Sequence, residues 1–284
     1  MTGAGAALRA GTRDDGLALV ADRRFVALTG AGMSTDSGIP DYRGPGSPAR
    51  MPMTYSDFVS GPEAQQRYWA RSHIGWSRMK RASPNDGHRA LVALEAAGRL
   101  RMLITQNVDG LHEAAGSQAL CALHGRIAEV VCLDCREVTS RAALHERLAQ
   151  RNPGWDERHA GVEVRPDGDV ELEDTSGFTV PGCSRCGGVL KPDVVFFGEN
   201  VPKPRVERCY AAVDALDPAT EALLVLGSSL TVMSGFRFVR RAVKLGVPVV
   251  VVNRGATRAD DLPILKLDHG TTPFLASLVE LAAG

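Results

Sequence analysis

Phe25-Val26-Ala27-Leu28-Thr29-Gly30-Ala31-Gly32-Met33-Ser34 decides how the rest of the chain is read. Phe25 to Thr29 is an apolar, β-branched run with no polar interruption, and it stops at two closely spaced glycines. A run without alternation is what a strand buried on both faces requires, and such strands belong to parallel sheets covered by helices. Glycines just after a strand let backbone amides approach an anion at a helix start, where the dipole favours negative charge. As a dinucleotide fingerprint the stretch is incomplete. Thr35 stands where a third glycine belongs, and no clear second strand ends in an acid about 20 residues on. A plain tight turn between strand and helix is the alternative that this spacing leaves open.

The same kind of run recurs at Met102–Thr105, Leu223–Leu226 and Val247–Val252. Helical spacing lies between or after these runs. Gly87–Ala97 aligns Leu91, Leu94 and Ala97, Gly235–Leu245 aligns Phe236, Val239 and Val243, and Pro273–Ala283 aligns Phe274, Leu278 and Leu281. Strands alternating with helices predict an α/β fold with a parallel sheet covered on both faces. Two excursions break the alternation. Pro40–Pro62 carries five prolines, after which Met51–Ala82 reads as loop and helix, and Cys132–Cys186 is polar and dotted with Gly and Pro.

Composition narrows the classes. At 284 residues, 44% hydrophobic and 23% charged, the chain has the apolar content that a disordered chain lacks. Its apolar runs fall far short of the ~20 residues of a membrane span. Lys+Arg and Asp+Glu are both 33, so the totals hold no cationic footprint and no nucleic-acid partner is expected. Met1–Gly16 has no apolar segment of the signal-peptide kind and includes Asp14 and Asp15, so it reads as a frayed start and the expected location is cytoplasmic.

Polar motifs cluster at the carboxyl ends of the predicted strands, where open α/β sheets bind ligands. Gln106-Asn107-Val108-Asp109 follows Thr105, Gly227-Ser228-Ser229 follows Leu226, and Asn253-Arg254-Gly255 follows Val252. His124-Gly125 follows the short run Cys121–Leu123. The loop Asp36 to Gly44, with Asp41-Tyr42-Arg43, continues from the first turn. Taken singly, Asn107 or Asp109 is equally a helix cap, and a lone His is more often structural. Taken together, these junctions predict one extended cleft, long enough for a dinucleotide. In that setting His124 is a candidate general base, since an imidazole titrates near working pH.

Cys132-Leu133-Asp134-Cys135 and Cys183-Ser184-Arg185-Cys186 are two Cys-x-x-Cys knuckles, the thiolate set of a tetrahedral Zn²⁺ site. Four thiolates saturate the ion, so the expected role is structural. Cys121 and Cys209 remain as core or half-exposed thiols.

In this order, from about residue 20 to 270, these motifs together with Lys191-Pro192-Asp193-Val194-Val195-Phe196-Phe197-Gly198-Glu199 resemble the sirtuins, NAD-dependent protein-lysine deacylases. Within that family Arg67-Tyr68-Trp69-Ala70-Arg71, Gly75-Trp76, Asn152-Pro153-Gly154-Trp155, Asp167-Gly168-Asp169, Thr257-Arg258 and Asp260-Asp261-Leu262 are most similar to class II. The resemblance implies a Rossmann-type, doubly wound large domain from 17–44, 87–127 and 190–284. It also implies a small domain made of a helical module, 45–86, and a zinc-ribbon module, 128–189. It implies NAD as co-substrate, with Gly30, Ala31, Gly32 and Ser34 at the phosphates and Asp41, Tyr42 and Arg43 on the cofactor loop. Gln106, Asn107, Val108 and Asp109 fall in the nicotinamide and ribose pocket. Gly227, Ser228, Ser229, Asn253, Arg254, Gly255 and Thr271 would fall on the adenosine half. Val195, Phe196, Gly198, Glu199, Ser234 and Gly235 would flank an acyl-lysine protein or peptide substrate. The resemblance also implies Asn107 and His124 as the catalytic pair, with His124 taking a proton from the ribose hydroxyls and the products being nicotinamide, O-acyl-ADP-ribose and free lysine.

Met33 and Tyr42 depart from the family's usual Ile and Phe. Two alternatives share the same cleft: a protein mono-ADP-ribosyltransferase, and an inactive NAD-sensing zinc module. The oligomeric state is not legible. Tyr68-x-x-Arg71 is expected to face away from the cleft, and the insertion from Arg136 to Gly182 is expected to reach the acyl tunnel and favour larger or branched acyl groups.

Overall fold

Successive residues of the first long strand divide between two cores: Phe25 and Ala27 enter one, Val26 and Leu28 the other. The computed structural model describes residues 9–41, 52–79, 81–159, 170, 172 and 174–283. Its strands are β1 (Arg9–Ala10), β2 (Arg24–Thr29), β3 (Leu100–Thr105), β4 (Leu120–Ala122), β5 (Gly125–Cys132), β6 (Val138–Ser140), β7 (Leu190–Val194), β8 (Glu221–Leu226), β9 (Val249–Val252) and β10 (Leu265–Leu267). The helices are α1 (Arg13–Val20), α2 (Tyr55–Phe58), α3 (Pro62–Met79), α4 (Asp86–Ala96), α5 (Leu111–Ala115), α6 (Arg141–Arg151), α7 (Trp155–Arg158), α8 (Lys203–Asp214), α9 (Met233–Lys244) and α10 (Thr271–Ala283).

Seven strands pair in the order β1-β10-β9-β8-β2-β3-β4, all parallel. The alternation seen in β2 repeats in its neighbours. Leu224, Leu226, Val250 and Val252 pack with Leu91 and Leu94 of α4 and Phe274 and Leu278 of α10. Leu223, Val225, Val249 and Val251 pack with Val213 of α8 and Phe238 and Val239 of α9. Both faces are therefore covered, which is why the strands read as unbroken apolar runs. The sheet is the predicted doubly wound one. After β2 the chain builds outward through β3 and β4, and after β8 it builds the other way through β9 and β10. The switch point thus lies between β2 and β8, and crevices at such points hold ligands.

The frayed start expected for Met1–Gly16 is corrected from Arg9 onward. Arg9 and Ala10 pair with Leu265 and Lys266 as an edge strand. Thr12 then caps α1 in a reciprocal box with Asp15, a device typically worth ~1 kcal/mol. Two paired residues leave no periodicity to read.

The two excursions form one small domain with a shared core. Phe58, Tyr68 and Trp69 from the helical part pack with Val130, Leu144, Leu148, Trp155, Phe178 and Leu190. Trp69 Nε1 donates to the Leu190 carbonyl at 2.9 Å. A second sheet, β6-β5-β7, is antiparallel. The segment boundary expected at 127/128 falls inside β5, and the one at 189/190 leaves β7 on the wrong side of its own sheet. The reason is that β5 and β7 pair from Gly125↔Val194 to Cys132↔Leu190, carrying this sheet up to the cleft.

Candidate active cleft at the sheet switch point

The glycines after β2 and β8 are explained by backbone lying on backbone. A Cβ on Gly32 would sit 2.9 Å from Gly227 Cα, and one on Gly30 would sit 2.8 Å from the Gly227 carbonyl oxygen. Gly227 itself has φ +61°, and a Cβ there would meet the Met33 amide nitrogen at 2.5 Å. The Gly32 amide donates to the Gly227 carbonyl at 2.9 Å, locking the two turns together. Beneath them, Asn85 caps α4 and donates to the Met33 carbonyl, while buried His112 contacts Thr29 Oγ1 at 3.0 Å. Burial holds the His112 imidazole down at about 3, and that of His88 beside it at about 4. These two are neutral props under the turn.

After β3, Asn107 reaches back across the switch point. Its Nδ2 donates to the Gly30 carbonyl at 3.0 Å and to Ser34 Oγ at 3.1 Å. Ser34 Oγ donates in turn to Asp109 Oδ2 at 2.7 Å. Burial raises the Asp109 carboxyl, against two hydrogen bonds, from Leu111 N and Ser34, that lower it. Gln106 Oε1 accepts from Ser228 Oγ at 2.6 Å, joining the β3 and β8 ends.

His124 is fixed from both sides. Nδ1 lies 2.9 Å from the Gln106 carbonyl and Nε2 lies 2.7 Å from Ser234 Oγ. A carbonyl only accepts, so Nδ1 carries the proton, and in the neutral ring Nε2 offers its lone pair, here to the Ser234 hydroxyl. Burial pushes the imidazole down to about 4, with Arg205 adding to the effect, while the bond to Gln106 opposes it. Near neutral pH His124 is therefore an unprotonated imidazole.

A single cavity of about 710 Å³ gathers most of the residues picked out in the sequence, within the size range of small-molecule sites. It is lined by Gly30, Ala31, Gly32, Ser34, Asp41, Gln106, Asn107, Val108, Asp109, His124, Gly227, Ser228, Ser229, Asn253, Arg254 and Gly255. Val195, Phe196, Gly198, Glu199 and Ser234 line it too. Two of the expected residues do not. Gly235 instead packs under Gln106, whose Nε2 would lie 2.5 Å from a Cβ there. Thr271 opens α10 and is buried. Tyr42, Arg43 and the stretch Asp167-Gly168-Asp169 lie outside the described residues.

Tyr68 is a correction: it lines the cavity. Its ring lies 5.2 Å from Phe196 and 5.5 Å from Phe58. The buried stripe Ala64, Tyr68, Trp69, Ser72, His73 and Trp76 on α3 carries the signal, but only the fold shows that this stripe meets Phe196. Lys191, in the motif that ends at Glu199, is a residue whose part in the site the sequence pattern does not reveal. It is buried, pairs with Glu199 Oε2 at 2.9 Å, and lies 4.4 Å from the Phe196 ring centre. Glu199 also accepts from the Phe196 amide at 2.8 Å, so this pair shapes the cavity wall.

The four knuckle cysteines converge. Cys132 and Cys186 sulfurs are 3.5 Å apart, and those of Cys135 and Cys183 are 3.8 Å apart. Tetrahedral Zn–S bonds of ~2.3 Å place sulfurs ~3.8 Å from one another, so the donor set fits Zn²⁺. The knuckles match in backbone as well. The residue after each second cysteine is left-handed, Arg136 at φ 62° and Gly187 at φ 77°.

A doubly wound sheet with glycine turns at its switch point, a buried neutral histidine and a four-cysteine module on a small domain defines an NAD-type cleft fold of the sirtuin class. The family model described as "Sir2 family" matches residues 30–234. The chain belongs to the Sir2 family. It is 52% identical over 267 residues to the NAD-dependent protein deacetylase 1 of Mycobacterium avium (strain 104), covering 93% of each chain. It is 51% identical to the NAD-dependent protein deacetylase 1 of Streptomyces coelicolor, covering 97% of this chain and 92% of the relative. Among solved structures, one described as "Sir2-p53 peptide-NAD+" superposes with TM-score 0.74 at 30% identity, over 96% of this chain and 99% of that one. Among the described residues, no helix is long and apolar enough to cross a membrane.

Proposed function

We propose that this chain is an NAD-dependent protein-lysine deacylase acting on acyl-lysine proteins or peptides. The observation that carries the reading is His124. It is held neutral by burial, with its proton fixed on Nδ1 by the Gln106 carbonyl and its Nε2 lone pair on the cavity side. That is the state a general base needs before it acts.

NAD, when bound, supplies a ribose carbon activated by a nicotinamide leaving group. The residues present fit it. Gly30, Gly32 and Gly227 let the two turns close on each other, their own amides bonded to backbone carbonyls, and Ala31, Ser228 and Ser229 beside them line the cavity where a diphosphate would lie. Asn107, Gln106 and Asp109 form a polar wall for ribose hydroxyls and an amide, already ordered by Ser34 and Ser228. Asn253, Arg254 and Gly255 extend the cleft at the end of β9. Val195 and Phe196 present an edge for an extended peptide, with the Val195 amide tied to the His124 carbonyl at 2.8 Å. Tyr68, Phe196 and Ile127 exclude water around the acyl group. His124 Nε2 takes the proton of a ribose hydroxyl, and Ser234 gives up its bond to that nitrogen when it does. The four cysteines hold Zn²⁺ as a structural clamp.

The test is product analysis by mass spectrometry after incubation with NAD and an acetyl-lysine peptide. Nicotinamide, free-lysine peptide and O-acetyl-ADP-ribose in equal amounts are expected. ADP-ribose attached to protein without peptide deacetylation would replace this reading with the transferase, and no NAD turnover on any acyl peptide would replace it with an NAD-binding module.

A further inference from the structure

Away from the cleft, three helices of the small domain bring three ligating side chains together. His73 comes from α3, His145 from α6 and Asp156 from α7. Each offers one ligand atom, and these atoms lie within 4.8 Å of one another. His73 Nε2 is 3.2 Å from Asp156 Oδ1. The His73 and His145 rings stack with centres 4.2 Å apart and 30° between planes.

We propose that His73, His145 and Asp156 form a second metal site, separate from the four cysteines, for a first-row divalent ion that prefers imidazole, such as Zn²⁺. Two imidazoles and one carboxylate form a ligand set of the kind found in catalytic Zn²⁺ sites, and imidazole also suits Ni²⁺ and Cu²⁺. Bonds of ~2.0–2.1 Å place neighbouring ligands of a tetrahedral ion ~3.3 Å apart. The His73–Asp156 separation already meets that spacing. His73 is 1% exposed and walled by Phe178, so it is the fixed ligand. His145 is half-buried and Asp156 exposed, so these two are the ligands that adjust, the His145 ring turning out of its stack on His73 to face the ion. Solvent on the Asp156 side supplies water for the remaining position.

Arg141 works against the ion. Its buried guanidinium stacks 5.1 Å from the ring centres of Trp69 and Trp76 and donates to the Ser72 carbonyl. One carboxylate faces that charge where the other site has four thiolates, so binding is expected to be weaker than at the four cysteines. Three helices that already share a core would then also be pinned at one point. One of them, α3, carries Tyr68 into the cleft wall. The chemistry a metal needs here has no counterpart in the proposed deacylation, so the site stands or falls independently of that activity.

The experiment is zinc analysis of the full chain after equilibration in Zn²⁺ buffered at micromolar free concentration, together with melting curves with and without added Zn²⁺. Two zinc per chain and a melting temperature that rises with Zn²⁺ are expected. Asp156→Asn, at an exposed position, and His145→Gln, at a half-buried one, each remove one ligand and keep His73. Each should drop the count to one and abolish the Zn²⁺-dependent rise while keeping the unliganded melting curve. One zinc per chain in the unaltered protein would overturn the proposal, as would variants that still bind two.

Discussion

Gly227→Ala should damage both the fold and the cleft, and Gly98→Ala supplies the control. Both glycines are left-handed, at φ +61° and φ +70°. Placing alanine there costs ~1–2 kcal/mol in either case. The surroundings differ. A Cβ at Gly98 meets nothing within 4 Å, whereas at Gly227 it meets Met33 N at 2.5 Å and Gly32 C at 2.6 Å, both backbone atoms. Backbone cannot rotate aside as a side-chain tip does, so an overpacking cost of ~1–3 kcal/mol is added. Urea midpoints should therefore place Gly98→Ala ~1–2 kcal/mol below the unaltered protein and Gly227→Ala ~2–5 kcal/mol below it. The second readout is stabilisation by NAD. At 100 times its Kd a ligand adds ~2.7 kcal/mol. Gly227→Ala moves the two turns apart, and a tenfold loss of affinity would cut this to ~1.4 kcal/mol. Gly98→Ala should keep the full increment. Equal destabilisation of the two variants, with equal NAD stabilisation, would refute the claim that these turns are packed backbone-to-backbone for a ligand.

Cys183→Ala should lose zinc from the four-cysteine site and lose stability together, because metal binding to such modules is folding free energy of ~10 kcal/mol or more. Elemental analysis and a melting curve check this, and full zinc occupancy of that site with an unchanged melt would exclude the four-thiolate assignment. The pH dependence follows from buried histidines. His88 and His124 are held at about 4 and His112 at about 3, whereas unfolded histidine titrates near 6.5. Below pH ~6.5 the unfolded chain takes up protons that the folded one refuses. Stability is therefore complete above that pH and falls as pH drops toward 4, by up to ~1.4 kcal/mol per pH unit for each histidine. Urea midpoints between pH 7 and 5.5 read the slope, and a flat profile would contradict neutral burial.

The large sheet was legible because burial on both faces removes polar residues from β2, β3, β8 and β9. Its edges were not: β1 has two residues and β10 three. α8 was equally silent, since only Cys209 and Val213 of its twelve residues are buried. The small sheet escaped because β5 mixes exposed Ala128 and half-buried Glu129 with buried Val130 and Val131 and bends at an irregular register. The cleft was legible at strand ends, where glycine and small polar residues interrupt apolar runs. What sequence spacing lacks is the third dimension. Tyr68 reaches the cleft only because α3 packs on Phe196, and the grouping of His73, His145 and Asp156 spans helices whose separation along the chain carries no motif. The tautomer of His124 likewise depends on a carbonyl, and backbone oxygens have no sequence signature.

The most direct test of His124 as a neutral general base compares the unaltered protein with His124→Ala in NAD-dependent deacetylation of one acetyl-lysine peptide, alongside NAD-induced thermal stabilisation. Loss of the base is expected to lower turnover by ~10²–10⁴ while the NAD-induced stabilisation is largely retained, since the glycine turns and Asn107 are untouched. For the unaltered protein kcat/KM should stay level as pH falls from 7 to 5 and decline only near the depressed histidine value of about 4. Near-normal turnover by His124→Ala, or a decline centred near pH 6.5 in the unaltered protein, would contradict the assignment.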